Sequence, residues 1–191
     1  MNRILIMGPP GVGKGTQAER LAKHLSVPTI STGNLFREEV RNETSLGLKI
    51  RDMLARGQYV SDEITNKVVA DRLGQPDAAE GFILDGYPRT LAQVEALDQI
   101  LAQRSSKLDA VVVLEADHEQ LVERILLRAV EQGRSDDTPE VIAHRLDVYA
   151  RETAQLISAY EARGLVVRVD GTGLPHVVAE RIVGALIRRL R

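Results

Sequence analysis

Residues 8–16 have the types and the spacing that bind a phosphate group. They read Gly-Pro-Pro-Gly-Val-Gly-Lys-Gly-Thr, which fits the pattern G-x-x-x-x-G-K, with Gly15 at the usual hydroxyl position and Thr16 one residue later. Glycines let the backbone curl until successive N–H groups point at phosphate oxygens, and a following helix N-terminus adds partial positive charge. Lys14 supplies a full charge, and the Thr16 hydroxyl can face a bound Mg²⁺. The segment therefore predicts a phosphate-binding loop.

A second polar segment follows an apolar run and reads Asp85-Gly-Tyr-Pro-Arg89. Open α/β sheets bind ligands beyond the carboxyl ends of their strands, so Arg89 lies where a ligand is expected. Asp85 ends the strand and can hold Mg²⁺ through water, which suits an ion that dehydrates reluctantly. The alternative is an aspartate that only caps a turn. Arg124 and Arg128 share one face of a predicted helix, where a solvated surface is the plainer interpretation.

Short apolar runs alternate with helical patterns along the chain. This alternation predicts an α/β fold with a parallel sheet, because runs that are apolar throughout suit strands buried on both faces. The predicted strands are residues 3–7, 27–30, 82–85, 110–115 and 165–169. The predicted helices are residues 15–25, 61–73, 91–103, 118–130 and 139–163.

Two segments fit this sheet poorly and are predicted to be insertions that close over a ligand. They lie within residues 31–60 and 129–138, which are polar or charged and carry no strand pattern. No repeat or low-complexity linker divides the chain. Residues 1–191 are therefore predicted to form a single domain with two mobile insertions.

Composition excludes several classes of function. The formal net charge is −2 and aromatic residues make up 3%, so neither a polyanion-binding surface nor a stacking platform for nucleic acid is indicated. There is no cysteine, which excludes disulfides and Cys-ligated zinc. The N-terminal apolar run is too short for a signal peptide, and no run approaches the length that spans a bilayer. We expect a cytoplasmic protein that binds neither nucleic acid nor membrane.

Five segments, the phosphate loop and four that follow it, form a recognisable series along the chain. The phosphate loop is followed by STGNLFR at 31–37, GQYVSDE at 57–63, GFILDGYPRT at 81–90 and DGTG at 170–173, with several arginines between 124 and 145. In this order they resemble the adenylate kinase family across essentially the whole chain. One such motif would be weak, whereas five in register are specific. Asn34 departs from the family, which usually has aspartate there.

The resemblance implies the P-loop NTPase fold. That fold has a five-stranded parallel sheet flanked by helices, and the family adds a small AMP-binding helical lobe (residues 31–60) and an ATP lid (residues 129–138). Sixteen residues lie between Arg128 and Arg145, which matches the short-lid form. No zinc is therefore expected in the lid.

The resemblance also implies roles for individual residues. Those expected to bind ATP are Gly11, Val12, Gly13, Lys14, Gly15, Thr16, Arg128 and Gly173. Those expected to bind AMP are Thr32, Arg37, Gln58, Tyr59, Val60, Gly86, Tyr87, Pro88, Arg89, Gln93, Arg134 and Arg145. The expected catalytic residues are Lys14, Arg89, Arg128, Arg134 and Arg145. Mg²⁺ bound with ATP is expected to lie near Asp85, through water, and Thr16.

Two side chains bear on which monophosphate is accepted. Thr32 stands where the related uridylate/cytidylate kinases commonly have alanine, and the Gln93 amide can pair with donor and acceptor groups of adenine. Both favour an adenylate kinase that moves the γ-phosphoryl group of MgATP to AMP and gives two ADP, reversibly. A uridylate/cytidylate kinase with the same machinery is the alternative, and a module that senses adenylates without turnover is a second one. A monomer is expected from the resemblance alone.

Overall fold

The computed structural model describes most of the chain, namely residues 2–56, 58–117, 121, 124–125 and 139–189. It describes the backbone alone at residues 139, 140, 143–145, 148, 150, 152 and 154. The predicted helix at 118–130 lies largely outside the described residues, and the predicted lid at 129–138 lies wholly outside them. Within the described ranges, none of the helices combines the length and the apolar character needed to cross a bilayer.

A single parallel sheet forms the centre of the molecule. Its strands are β1 (Arg3–Met7), β2 (Thr29–Ser31), β3 (Phe82–Asp85), β4 (Ala110–Glu115) and β5 (Val166–Asp170). They lie in the order β2-β3-β1-β4-β5, and every neighbouring pair is parallel. The predicted α/β fold with a five-stranded parallel sheet is confirmed. The loops that follow β1, β2 and β3 therefore leave from the same edge, where such sheets bind ligands.

Helices flank this sheet. They are α1 (Lys14–Leu25), α2 (Thr32–Arg41), α3 (Ser45–Ala55), α4 (Asp62–Leu73), α5 (Leu91–Ala102), α6 (Pro139–Ala162) and α7 (Pro175–Arg189), with a 3₁₀ turn at Pro76–Ala78. Alternate residues of β1 point to opposite faces, so Leu5 belongs to one apolar core and Ile6 to the other. Helices α4, α5 and α6 cover the first core, and α1 and α7 cover the second. Each large aliphatic side chain buried there contributes about 1.5–3 kcal/mol.

Two strands begin later than predicted, at residue 29 instead of 27 and at residue 166 instead of 165. Pro28 has no N–H to donate, and only its carbonyl joins the sheet, accepting from the Ile83 N–H at 2.9 Å. The Leu165 N–H donates to the Tyr160 carbonyl at 3.0 Å and so closes the end of α6 instead of pairing with a strand. The missing N–H of Pro28 and the local hydrogen bond of Leu165 therefore set these two boundaries.

The first predicted insertion forms a small unit with a core of its own. We call α2, α3 and residues 58–60 the helical lobe. Phe36, Ile50 and Val60 are buried together there, and the neighbouring side chains of α4 pack against them. The lobe follows β2, so it lies at the ligand-binding edge of the sheet.

Helices α2 and α3 approach each other very closely at Gly47. A Cβ atom at this position would lie 2.0 Å from the Glu39 carbonyl oxygen, which belongs to the backbone of α2. The Gly47 N–H also donates to the Thr44 side chain at 3.0 Å, which caps α3. Only glycine fits this contact.

We expect Gly47→Ala to lower the free energy of unfolding by about 1–3 kcal/mol, because backbone must move to admit the methyl group. Gly184→Ala is the matched control, since the nearest atom to its added Cβ would be Arg188 Nη1 at 3.5 Å. That control should be neutral or stabilise by about 0.5–1 kcal/mol, as alanine does inside a helix. Urea unfolding measures both changes, and equal effects of the two substitutions would contradict the close contact.

Candidate active site

The phosphate-binding loop joins β1 to α1, as predicted. Gly8, Gly11 and Gly13 have positive φ angles of 146°, 83° and 96°. At Gly11 a Cβ atom would also lie 2.7 Å from the Leu121 carbonyl oxygen, so this turn requires glycine on two grounds. The loop ends at the first turn of a twelve-residue helix, whose N-terminus favours an anion.

Lys14 is held against this loop. Its Nζ donates to the Gly8 carbonyl at 2.8 Å and to the Pro9 carbonyl at 2.9 Å. The side chain of Val12 is buried, whereas Thr16 is exposed on the first turn of α1. The structure thus places a full positive charge and an exposed hydroxyl at the N-terminus of α1, beside the curled backbone.

Asp85 lies at the end of β3, opposite Ile6 in the register of β1. Its Oδ1 atom is buried and has no hydrogen-bond partner, and its Oδ2 atom lies 3.9 Å from where a Cβ atom on Gly15 would be. A buried carboxylate oxygen without a partner is costly unless a ligand completes its surroundings.

This carboxylate fits a magnesium ion held through water. Mg²⁺ commonly binds one or two carboxylates together with phosphate oxygens and water, rather than an all-protein cage. In the part of the chain that the structure describes, no three acidic, histidine or cysteine side chains cluster into such a cage. Thr16 lies in the first turn of α1, and Asp85, at the end of β3, lies close to Gly15 in that same turn. The residues present therefore suit an ion that arrives with a nucleotide.

The turn after β3 holds Arg89 in place. The Gly86 carbonyl accepts from Arg89 Nε at 2.8 Å and from the Thr32 hydroxyl at 2.9 Å. Gly86 has a φ of 77°, and a Cβ atom there would lie 3.2 Å from Arg89 Nη2. The Arg89 guanidinium also stacks on the Tyr59 ring, 4.5 Å from its centroid. The guanidinium is therefore oriented by two groups, the Gly86 carbonyl and the Tyr59 ring.

Gln93 supports the same arginine from α5. Its side chain is only 3% exposed, and its Oε1 accepts from the Arg89 backbone N–H at 2.7 Å. Its Nε2 donates to Asp62 Oδ1 at 2.6 Å. These two bonds use one N–H and one oxygen lone pair of the amide, and its contact with adenine stays a prediction.

Tyr87 packs beneath this turn. It is 1% exposed, and its hydroxyl lies 2.7 Å from Asn66 Oδ1 and 3.1 Å from the Gln93 carbonyl. Burial, followed by the negative charge of Asp62, raises the pKa of Tyr87 above its ordinary value. The hydroxyl thus stays protonated and links α4 to α5, while the following Pro88 continues the turn through a cis peptide.

The remaining predicted contacts divide between the helical lobe and the loop after β5. Arg37 donates to Asn34 Oδ1 at 2.6 Å, so the departure from the family retains an acceptor without its charge. Gln58 is exposed, Tyr59 is half-buried and Val60 is buried, and their contact with AMP stays a prediction. Gly173 has a φ of 102°.

The structure does not describe the side chains of three predicted site residues. Arg128 and Arg134 lie outside the described residues, and of Arg145 the structure describes only its backbone position in α6. Their roles stay predictions.

Sequence reasoning missed the residues that hold the loop after β5. Arg181 donates to Asp170 Oδ2 at 2.9 Å and to the Thr172 carbonyl at 2.7 Å, and Arg124 donates to the Gly171 carbonyl at 3.1 Å. Hydrogen bonds from Thr172, and then the charge of Arg181, hold the pKa of Asp170 below its usual value. Asp62 was missed as well. Asp62 lies within the 57–63 segment, but no local pattern reveals its partners or those of Arg181, which lie 9 to 31 residues away along the chain.

Known proteins resemble this chain over most of its length. The family model described as adenylate kinase matches residues 6–165. A protein named adenylate kinase from Micrococcus luteus is 55% identical over 186 residues, which cover 97% of this chain and 91% of that protein. Others of the same name, from Kocuria rhizophila and Bifidobacterium longum, are each 54% identical and are covered over 100% and 99% of their lengths. With the phosphate loop, the Asp85 carboxylate and the anchored Arg89 at one sheet edge, these matches show that the chain belongs to the adenylate kinase family of phosphotransferases.

Proposed function

We propose that this chain reversibly transfers the γ-phosphoryl group of MgATP to AMP and so gives two ADP. One observation carries the proposal. The adjacent strands β1 and β3 end in a phosphate loop with Lys14 and in a turn that fixes Arg89, so two phosphate-binding groups face the same edge of the sheet. A site with two such groups suits transfer between two nucleotides.

In this mechanism the protein positions the groups and stabilises charge. The loop N–H groups and Lys14 hold the donor phosphates, while Arg89 and Arg37 hold the acceptor phosphate through their forks. The acceptor oxygen is already ionised at neutral pH, so no general base is needed. Mg²⁺, when bound near Asp85 and Thr16, neutralises phosphate charge.

Closure completes the site in this proposal. The helical lobe within residues 31–60 closes on AMP, and the lid at 129–138 closes on ATP and excludes water, the competing acceptor. Arg128 contacts ATP, and Arg134 and Arg145 clamp the transferring group. The protein acts as a cytoplasmic monomer.

Adenine is the base that the acceptor pocket suits best. Gln93 keeps one donor and one acceptor available, and Thr32 is fixed beside the phosphate-binding turn. A uridylate/cytidylate kinase would use the same phosphate contacts. The names of the relatives favour AMP.

A coupled assay of ADP formation tests the proposal, with MgATP as donor and AMP, UMP, CMP or GMP as acceptor. We expect strong turnover with AMP, weak turnover with the others and little ATP hydrolysis without acceptor. Turnover with UMP or CMP instead would contradict AMP as the acceptor and favour a uridylate/cytidylate kinase. Tight ADP binding without transfer would point to an adenylate sensor.

Replacing Thr32 by alanine is expected to weaken the preference for AMP over UMP by about three- to tenfold. The hydroxyl is buried and shares the Gly86 carbonyl with Arg89, and a neutral hydrogen bond contributes about 0.5–1.5 kcal/mol. Ratios of kcat/KM for the two acceptors measure the effect. Thr32→Ser, which keeps the hydroxyl, should stay near the parent, and an unchanged profile in Thr32→Ala would place the specificity elsewhere.

A further inference from the structure

Asp62 lies in the first turn of α4 and bonds to the start of α5 with both carboxylate oxygens. Oδ1 accepts from Gln93 Nε2 at 2.6 Å, and Oδ2 accepts from the Thr90 hydroxyl at 2.7 Å. Such bonds to a charged acceptor are stronger than neutral ones. This side chain has no part in the mechanism described above.

The carboxylate fixes which way the Gln93 amide points. An ionised carboxylate only accepts hydrogen bonds, so Gln93 must turn its NH₂ group towards Asp62. The amide oxygen then faces the Arg89 backbone N–H, which can only donate, at 2.7 Å. Two contacts on opposite sides of the amide therefore demand the same orientation.

The Thr90 hydroxyl fixes the remaining donor and acceptor roles in this network. Its hydroxyl hydrogen is used on Asp62, so its oxygen is the atom that accepts from the Gln93 backbone N–H, at 3.2 Å, and caps α5. Each donor in this network thus faces an acceptor. In a reversed Gln93 amide, the NH₂ group would face the Arg89 N–H, donor against donor. The amide oxygen would face Asp62 Oδ1, acceptor against acceptor.

The fixed orientation matters for reading a purine. The amide has one N–H and one lone pair left, and their order along the amide edge is now set. Adenine offers an acceptor at N1 and a donor at its amino group, whereas hypoxanthine offers a donor at N1 and an acceptor at O6. An amide that cannot turn over distinguishes these two bases, and one that turns over accepts both.

We propose that Asp62 is a positioning residue that locks the Gln93 amide in the orientation that reads adenine and rejects a 6-oxopurine. The inference rests on the proposed function, since it concerns the same acceptor site. It acts through Gln93 and the Arg89 backbone, without contact to the substrate.

The test compares AMP with IMP as acceptors for Asp62→Asn. An amide at position 62 can satisfy either orientation of Gln93, which leaves the Arg89 N–H as the one remaining contact of this network that opposes the reversed amide. We therefore expect KM for AMP to rise about tenfold, with kcat within a few-fold of the parent. The ratio of kcat/KM for AMP to that for IMP should fall about tenfold or more. KM for MgATP should stay unchanged.

Glu63→Gln is the matched control. It removes the same charge from the same first turn of α4, so any effect through the helix dipole is shared, yet its exposed side chain is not in the network. For Glu63→Gln, the ratio of kcat/KM for AMP to that for IMP should equal the ratio of the parent. An Asp62→Asn ratio equal to the Glu63→Gln ratio would overturn the proposal.

A double variant separates positioning from folding. In Asp62→Asn with Gln93→Glu, the new amide can donate to the new carboxylate and accept from Thr90, while the second carboxylate oxygen accepts from the Arg89 N–H. We expect the thermal stability of this double variant to match that of the parent, but discrimination between AMP and IMP to be lost, because a carboxylate has no donor for the base. Parent-like discrimination in the double variant would also overturn the proposal.

The parent protein distinguishes this inference from the proposed function. If it transfers no phosphoryl group to AMP, the proposed function fails. Calorimetric titration with AMP and IMP then still tests Asp62. A parent-like difference in affinity in Asp62→Asn would reject the positioning role, and a reduced difference would support it.

Discussion

Replacing Arg89 by alanine is expected to lower kcat by about 10³–10⁵-fold, the range that a transition-state arginine contributes to phosphoryl transfer. The side chain is oriented by the Gly86 carbonyl and the Tyr59 ring, and the Arg89 backbone N–H donates to Gln93 Oε1. A fork that is already ordered loses little entropy when it binds phosphate. Initial rates at saturating AMP and MgATP measure the effect.

Arg163→Ala is the control for that substitution. Arg163 also stacks on a tyrosine ring, 5.5 Å from the centroid of Tyr160, and pairs with Asp98 on the surface. Its loss should leave kcat unchanged and cost at most about 1 kcal/mol of stability. If both arginine variants retained near-normal rates, Arg89 would have no contact with the transferring group.

Replacing Lys14 by methionine is expected to lower kcat/KM for MgATP by about 10²–10³-fold, as expected for loss of one preorganised donor to developing charge. Methionine keeps the length of the side chain and removes the ammonium, whose donors also face the Gly8 and Pro9 carbonyls. The same assay with MgATP varied at fixed AMP measures the change.

Lys23→Met is the control on the same helix. Lys23 is exposed in the last turn of α1, where its charge favours the helix end by about 0.3–1 kcal/mol. Catalysis should be unaffected by its loss. A similar small effect of both lysine variants would mean that backbone N–H groups alone bind the donor phosphates.

Sequence patterns predicted the sheet and the phosphate loop because both are local. The runs at β1, β3 and β4 are apolar throughout, and their bounds agree with the structure. The spacing of the glycines in the loop sets where the backbone can curl around a phosphate. Boundaries set by individual backbone groups, as at Pro28 and Leu165, lay beyond such patterns.

The support of the site could not be predicted in the same way. Asp62 bonds to Thr90 and Gln93, which are 28 and 31 residues further along the chain. Arg181 reaches back across 11 residues to Asp170. Acidic residues in the first turn of a helix and arginines on a surface helix are common, so only the packing of α4 on α5, and of α7 on β5, identifies these two.

Helix α4 takes part in two cores that share no buried residue. Val69 and Leu73 belong to the core beneath the sheet, whereas Ile64 and Val68 pack against the core of the helical lobe. Effects of substitutions that lack common neighbours generally add. The destabilising effect of a substitution in one core is therefore expected to leave the other core largely unaffected. Selection can adjust the stability of the lobe and the stability of the sheet as two nearly separate traits, with α4 as the element where they meet.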